Sequence, residues 1–156
     1  MKLWLRILIS ALVVILLGSL SGILGQASDR SWYQALNRPP GTPPGWVFGP
    51  VWTVLYALMG AAFALVWHQA AGTPHRAAAI RLFVIQMLLN LSWTPVFFGA
   101  QQILPALLII ISLWVLILLT IRRFLKVDAT AAKLLIPYLI WVSYATYLNA
   151  GFLALN

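Results

Sequence analysis

The sequence predicts an all-α integral membrane protein whose single domain, residues 1–156, crosses the bilayer as a five-transmembrane-helix bundle. Two observations support this fold class. Hydrophobic residues make up 63% of the chain and charged residues only 8%, whereas about one quarter of a soluble domain is charged. The apolar residues also fall in long uncharged runs, which are typical of helices that span a bilayer.

The first span is predicted over residues 5–26, which carry no charge after Arg6. At about 1.5 Å per residue, this stretch can cross a hydrocarbon core of about 30 Å. A cleaved signal peptide is the alternative, because basic residues precede the apolar stretch. Small residues favour a span that packs closely, either inside its own bundle or against a second copy. They are Gly18, Ser21, Gly22 and Gly25.

Residues 27–45 are predicted to form an ordered proline-rich loop, and the second span follows at residues 46–67. Prolines at the end of the loop exclude a helix there, since proline lacks an amide donor and restricts the residue before it. Trp32 and Trp46, towards the ends of the loop, suit the membrane interface.

The remaining spans are predicted at residues 80–99, 104–122 and 131–155. Residues 82–121 carry no charge, and as one helix they would reach about 60 Å, roughly twice the thickness of the hydrocarbon core. The chain must therefore fold back within this stretch. Gly99 suits the end of one helix, and Pro105 suits the start of the next.

The basic residues predict topology rather than nucleic-acid binding, although the formal net charge is +8. They lie between apolar runs, and most fall on the N-terminal side of the five spans. This asymmetry predicts a cytoplasmic N-terminus and an outward-facing C-terminus, and we expect a bacterial cell membrane. Those on the N-terminal side are Lys2, Arg6, Arg76, Arg81, Arg122, Arg123, Lys126 and Lys133, and the others are Arg30 and Arg38.

The sequence predicts no metal site and no cofactor. It contains no cysteine, and its histidines and acidic residues share no metal-binding spacing within one element. No charged residue lies near the middle of a predicted span, which argues against an ion-coupled carrier or a channel.

Aromatic and amide side chains recur at helical spacing along three spans. They are Trp52, Tyr56, Met59 and Phe63; Gln86, Asn90, Trp93 and Phe97; and Tyr138, Trp141, Ala145 and Asn149. One interpretation is that they are packing seams in which amides form hydrogen bonds between helices. The other is that they line a mostly apolar cavity whose aromatic walls suit a flat ligand.

Four motifs, in order, resemble the tryptophan-rich sensory protein, or translocator protein (TspO/MBR), family over nearly the whole chain. The first is Trp32-Tyr33, and the second is the segment of residues 43–60, which begins Pro43-Pro44-Gly45-Trp46. The third is Asn90-Leu91-Ser92-Trp93 followed by Phe97-Phe98-Gly99-Ala100. The fourth is Pro137-Tyr138-Leu139-Ile140-Trp141 with Tyr144-Ala145-Thr146-Tyr147-Leu148-Asn149.

The resemblance implies a five-helix bundle, often a homodimer, with a pocket under the loop between spans one and two. Such a pocket binds protoporphyrin IX and other haem-type tetrapyrroles, sterols and benzodiazepine-type ligands, so the expected partners are a hydrophobic small molecule and membrane lipid. The family's pocket positions match Tyr33, Pro43, Phe48, Trp52, Asn90, Trp93, Trp141, Ala145 and Leu148. The helical stripes add Tyr56 and Phe97 as candidate binding residues.

The resemblance also bears on the activity. Trp52 and Trp141 match the tryptophans linked in bacterial relatives to light-dependent breakdown of protoporphyrin IX, and they are the candidate catalytic residues if the chain has such an activity. Animal relatives have a basic residue after the tyrosine of a sterol motif, but none follows Tyr144 or Tyr147 here, so we do not expect tight sterol binding. The expected function is tetrapyrrole sensing, transport or degradation; the alternatives are a transporter of small hydrophobic ligands and an accessory protein that acts through protein partners.

Overall fold

The computed structural model describes residues 1–26 and 30–156, and within these residues all regular structure is helical. The helices are α1 Leu3–Gln26, α2 Ser31–Ala35, α3 Phe48–His68, α4 Arg76–Thr94, α5 Ile103–Leu125, α6 Ala129–Leu134 and α7 Ile136–Leu155. A π-helical turn, Pro95–Gly99, continues α4 to the end of its span. Five helical stretches are long and apolar enough to cross a membrane. The predicted fold class is therefore confirmed, and each predicted span agrees with the structure to within about one turn.

Local sequence accounts for several helix ends. The 3₁₀ turn Gly45–Val47 follows the paired prolines and leads directly into α3. Asp128 caps α6, because its carboxylate accepts a 2.9 Å hydrogen bond from the amide of Ala131. The predicted fifth span contains α6 and α7, which are separated at Leu135, and α7 carries a proline in its first turn, where a missing amide is tolerated.

The spans form a ring in the order α1, α3, α6 with α7, α5 and α4. Each span packs against its neighbours in this ring, and α1 closes it by contacting both α3 and α4. The row Leu12, Leu16, Leu20 and Leu24 on α1 is more than half exposed. Leucines at a spacing of four residues lie on one helix face, which suits contact with lipid chains.

Three of the four small residues of α1, Gly18, Ser21 and Gly25, pack inside its own bundle. A Cβ atom added to Gly18 would overlap the ring of Tyr56, and one added to Gly25 would lie 2.5 Å from Cγ2 of Thr94. The hydroxyl of Ser21 donates a 2.6 Å hydrogen bond to the carbonyl of Leu91. These contacts support the interpretation of residues 5–26 as a true span rather than a signal peptide.

The backbones of α1 and α3 are in close contact at Gly60. A Cβ atom added there would lie 2.5 Å from Cα of Ala11 and 2.6 Å from the carbonyl oxygen of Ser10. Both contacts are with backbone, which cannot rotate away as a side chain can. A glycine is therefore required at this position for the two helices to touch.

A buried chain of hydrogen bonds joins α3, α4 and α7. The hydroxyl of Tyr56 donates to Oδ1 of Asn90 at 2.8 Å, and Nδ2 of Asn90 donates to the hydroxyl of Tyr138 at 2.8 Å. That hydroxyl in turn donates to Oε1 of Gln86 at 2.8 Å. In an apolar interior these groups need one another as partners, so this part of the three stripes is a packing seam.

We expect the Gly60→Val variant to unfold at a lower temperature in detergent than the native protein. The added side chain must push α1 away from α3, at a cost of about 1–3 kcal/mol. The matched control is Gly72→Val, because a Cβ atom added at Gly72 meets nothing within 4 Å. Equal melting temperatures for the two variants would contradict the close helix contact.

We expect the Tyr138→Phe variant to be less stable than the native protein by about 1–2 kcal/mol, because the amides of Asn90 and Gln86 each lose a buried partner. The measurement is thermal unfolding in detergent. Ser112→Ala is the control, since the exposed Ser112 hydroxyl donates to the carbonyl of Leu108, one turn earlier on its own helix. Equal losses of stability in the two variants would mean that the buried hydrogen bonds stabilise the fold no more than an exposed one does.

Candidate functional site

Two cavities lie beneath the loop that joins α1 to α3. The larger, which we call the α1–α3 cavity, has a volume of about 560 Å³ and lies between the C-terminal half of α1 and the N-terminal half of α3. The smaller, which we call the inner pocket, has a volume of about 30 Å³ and lies between the end of α4 and α7. Tyr33, Phe48 and Phe98 line both. These three aromatic side chains therefore separate one space from the other.

Aromatic rings form much of the wall of the α1–α3 cavity. Trp52 stacks on Tyr56, with ring centroids 5.4 Å apart and planes inclined by 28°. Trp32 packs edge-on against Phe97 at 5.8 Å. Because the buried hydrogen-bond chain fixes Tyr56, the indole stacked on it presents a firm, flat surface. Such a surface suits a planar ligand.

Polar and cationic side chains line the loop end of the same cavity. Arg30, Gln34 and Arg38 lie there, and the guanidinium of Arg38 is 5.4 Å from the ring centroid of Tyr33. Burial raises the pKa of the Tyr33 phenol above its usual value, and the Arg38 cation offsets part of that rise. The phenol therefore stays neutral and can donate a hydrogen bond, while the arginines favour an anionic group.

The loop over the cavity is attached to α7. Pro39, Pro40, Gly41 and Thr42 form a tight turn in which Gly41 has a φ of 84° and the Thr42 amide donates to the Pro39 carbonyl. Such a turn favours proline before glycine. The hydroxyl of Tyr144 donates to the carbonyl of Gly41.

Two further contacts hold the loop to the end of α7. Tyr147 donates to the carbonyl of Pro40 at 2.8 Å. Asn156 accepts from the Asn37 amide at 2.9 Å and donates to its carbonyl at 3.0 Å. The part of the loop that the structure describes thus contains one short helix, α2, and is tied to α7 along its second half; residues 27–29 of the predicted loop lie outside the described residues.

The inner pocket is small because aromatic side chains fill it. Trp93 stacks on Phe97 with centroids 5.2 Å apart, and Phe98 meets Phe97 edge-on at 4.8 Å. Nε1 of Trp93 donates to Oδ1 of Asn149 at 3.0 Å, and the Asn149 amide donates to the carbonyl of Ile103 at 3.1 Å. The polar side-chain atoms of Trp93 and Asn149 are therefore already paired within the protein.

The structure divides the predicted binding residues into three groups. Tyr33, Phe48, Trp52 and Tyr56 line the α1–α3 cavity. Trp93, Phe97, Ala145 and Leu148 line the inner pocket, together with Tyr33 and Phe48. Pro43, Asn90 and Trp141 line neither cavity.

The third group has other contacts. Asn90 is bonded to two tyrosines, as described above. Trp141 packs edge-on against Phe48 at 6.0 Å and lies 5.8 Å from Tyr144. Its Nε1 atom is buried and has no hydrogen-bond partner among the residues described. For Asn90 and Trp141, helical spacing predicts a helix face but does not show which partners that face meets.

Several cavity residues were not predicted from the sequence. They are Gly18, Ser19, Gly22, Ile23 and Gly25 of α1, together with Arg30, Trp32, Gln34, Arg38, Gly45, Gly49, Thr53, Thr94 and Phe98. The sequence identifies the glycines of α1 only as packing residues, and the arginines only as topology signals. Within the described part of the chain, no three histidine or acidic side chains lie close enough to hold a metal ion.

Comparison with known proteins gives consistent matches along the chain. The model of the TspO/MBR family matches residues 10–155. The tryptophan-rich protein TspO of Chlorobaculum tepidum is 45% identical over 127 residues, which cover 81% of this chain and 80% of the relative. The protein of the same name from Archaeoglobus fulgidus is 36% identical over 152 residues, covering 97% of each chain.

A eukaryotic relative matches as well. The translocator protein of Homo sapiens is 40% identical over 119 residues, covering 76% of this chain and 70% of the relative. Residues 10–155, which the family model matches, include most of the five spans and the loop over the cavity. The chain is therefore an integral membrane protein that belongs to the TspO/MBR family.

Proposed function

We propose that this protein is a membrane receptor or translocator that binds porphyrin-type tetrapyrroles, and other flat hydrophobic molecules, in the α1–α3 cavity. The observation that carries the proposal is a cavity of about 560 Å³ with the stacked Trp52 and Tyr56 rings in its wall. Small-molecule sites usually have volumes of about 300–1,000 Å³ and mostly apolar walls with a few polar groups. Relatives named translocator protein and tryptophan-rich sensory protein support such a role.

The distribution of polar groups in the cavity suits an amphiphilic ligand. A porphyrin ring can lie against the Trp52 indole, where two flat aromatic surfaces gain contact area and offset stacking. Arg38 lines the loop end of the cavity, where it can attract the carboxylates at one edge of protoporphyrin IX. The ligand would then place its apolar edge towards the bilayer and its charged edge towards the interface.

The biological process can be sensing, transport or light-dependent degradation of the tetrapyrrole, and each makes a different demand on this cavity. A transporter must release the ligand on the other side, so sealed proteoliposomes should show flux of protoporphyrin IX that depends on the protein. An accessory protein would instead yield crosslinks to other proteins in native membranes. On family resemblance we also propose a homodimer in a bacterial cell membrane, with the N-terminus in the cytoplasm and the C-terminus outside.

We expect Trp52→Leu to weaken binding of protoporphyrin IX by about tenfold, because the variant loses the flat wall and about 1.4 kcal/mol of contact. The measurement is a titration in nanodiscs that follows the porphyrin absorbance band. The control is Trp67→Leu, on the same helix but outside both cavities, where the indole is 46% exposed. Unsaturable uptake, identical in all three proteins, would mean that the porphyrin only partitions into lipid and would rule out the proposed site.

We expect the Trp52→Phe variant to slow the light-dependent loss of bound protoporphyrin IX more than Trp141→Phe does. An indole can donate an electron to an excited porphyrin, and of these two tryptophans Trp52 lines the α1–α3 cavity whereas Trp141 does not. Absorbance of the bound porphyrin under illumination gives the rate, with dark samples as controls. Equal slowing in both variants would place the ligand nearer α7, and unchanged rates would exclude Trp52 and Trp141 as the electron donors.

A further inference from the structure

The helices α1 and α3 diverge from their close contact towards the loop. They touch at Ala11 and Gly60, where a Cβ atom added to the glycine would lie 2.5 Å from the opposite backbone. About three turns further along each helix, Gly22 of α1 and Gly49 of α3 both line the α1–α3 cavity. A Cβ atom added at either of these positions meets no atom within 4 Å. The cavity thus lies between the loop ends of α1 and α3, and the two helices are in backbone contact at Gly60.

Neither close packing nor backbone conformation requires glycine at the open end. Gly22, Gly45 and Gly49 have no positive φ among the described residues, and no neighbour would collide with a methyl group at any of them. A glycine such as Gly22, inside a helix, weakens that helix relative to alanine. All three line the same cavity, so the shared consequence of these glycines is a gap that side chains do not fill.

The gap faces the lipid side of the bundle. Ser19 and Ile23 lie on its α1 edge, and Ile23 is 65% exposed. Val54, on α3, is 58% exposed. Exposed apolar side chains within spans contact lipid chains, so a molecule dissolved in the bilayer can reach the gap without passing through water.

The loop side of the cavity offers a less accessible route. The second half of the loop is held to α7 by the Tyr144, Tyr147 and Asn156 hydrogen bonds described above. Pro39 also packs tightly on the last turns of α7, since a Cβ atom added to Gly151 would lie 2.5 Å from the Pro39 Cβ atom. Entry from the loop side would require the loop to lift and all these contacts to break. Entry through the gap between α1 and α3 leaves them intact.

We infer that the α1–α3 cavity is loaded sideways from the bilayer, by a flat hydrophobic molecule that passes edge-first between Gly22 and Gly49 while the loop stays attached to α7. The inference rests on the proposed function, because it concerns the route to the same site. It adds that the lipid-dissolved form of the ligand is the form that binds. The surrounding hydrocarbon is then part of the recognition, since only molecules that partition into it arrive at the gap.

The first experiment narrows the gap. In nanodiscs, the Gly22→Leu and Gly49→Leu variants should exchange protoporphyrin IX at least tenfold more slowly than the native protein, with both the association and the dissociation rate constants reduced. Gly72→Leu is the matched control, because Gly72 also faces open space but lies outside the cavity. A side chain that only fills the site would slow association and speed dissociation, and that result would overturn the inference.

The second experiment fixes the loop. The chain has no cysteine, so a Pro39→Cys and Gly151→Cys pair would form a single defined disulfide after a backbone shift of about 1 Å, since disulfides place Cβ atoms about 3.5–4.5 Å apart. With this bond closed, exchange of protoporphyrin IX should stay within about twofold of the rate measured after reduction. Exchange that stops in the oxidised protein and returns on reduction would show that the loop is the route.

The two failures can be separated. If the native protein shows no saturable binding of protoporphyrin IX, the proposed function fails and the inference fails with it. If the native protein binds saturably, but the gap variants exchange as fast as Gly72→Leu, the proposed function stands and only the lateral route is wrong. A variant that does not fold is recognised by its melting profile, and the disulfide pair then decides the question.

Discussion

The buried chain of hydrogen bonds from Tyr56 through Asn90 and Tyr138 to Gln86 is the interaction on which the site depends most. Three separate spans contribute to it, and none of its polar groups can exchange its partner for water in an apolar interior. It fixes the ring of Tyr56, against which Gly18 of α1 packs on one side and Trp52 stacks on another. By fixing Tyr56, these hydrogen bonds determine both where α1 packs and where the aromatic wall of the α1–α3 cavity lies.

The fold could be predicted from the sequence because a bilayer leaves few choices. Backbone amides and carbonyls without water must be paired within the segment, so each long apolar run becomes a helix and its length gives the number of crossings. The length of the uncharged stretch 82–121 requires a break, and Gly99 and Pro105 indicate its position. The break at Leu135 could not be predicted in this way, because a short capped helix and a following span have the same apolar composition as one longer span.

The site could be predicted only in part, because helical spacing gives the face of a residue but not its partner. Trp52 and Asn90 both lie on inward helix faces. The Trp52 indole lines the cavity, whereas the Asn90 amide forms hydrogen bonds with two tyrosines. Gly22 and Gly25 have the same spacing signature in α1, but Gly25 contacts Thr94 while Gly22 meets open space. Such differences depend on the angle between helices, which the sequence of one helix does not contain.

The divergence of α1 from α3 has a consequence for how stability is distributed through the molecule. α1 is the least buried of the five spans, at 17% against 39% for α3. Regions with few buried contacts open locally at a lower free energy than the rest of a protein. A molecule bound in the α1–α3 cavity would contact both the C-terminal half of α1 and α3, and would raise the free energy of local opening there. Ligand binding in the cavity would therefore slow amide hydrogen exchange in α1 far more than in the hydrogen-bonded centre of the bundle.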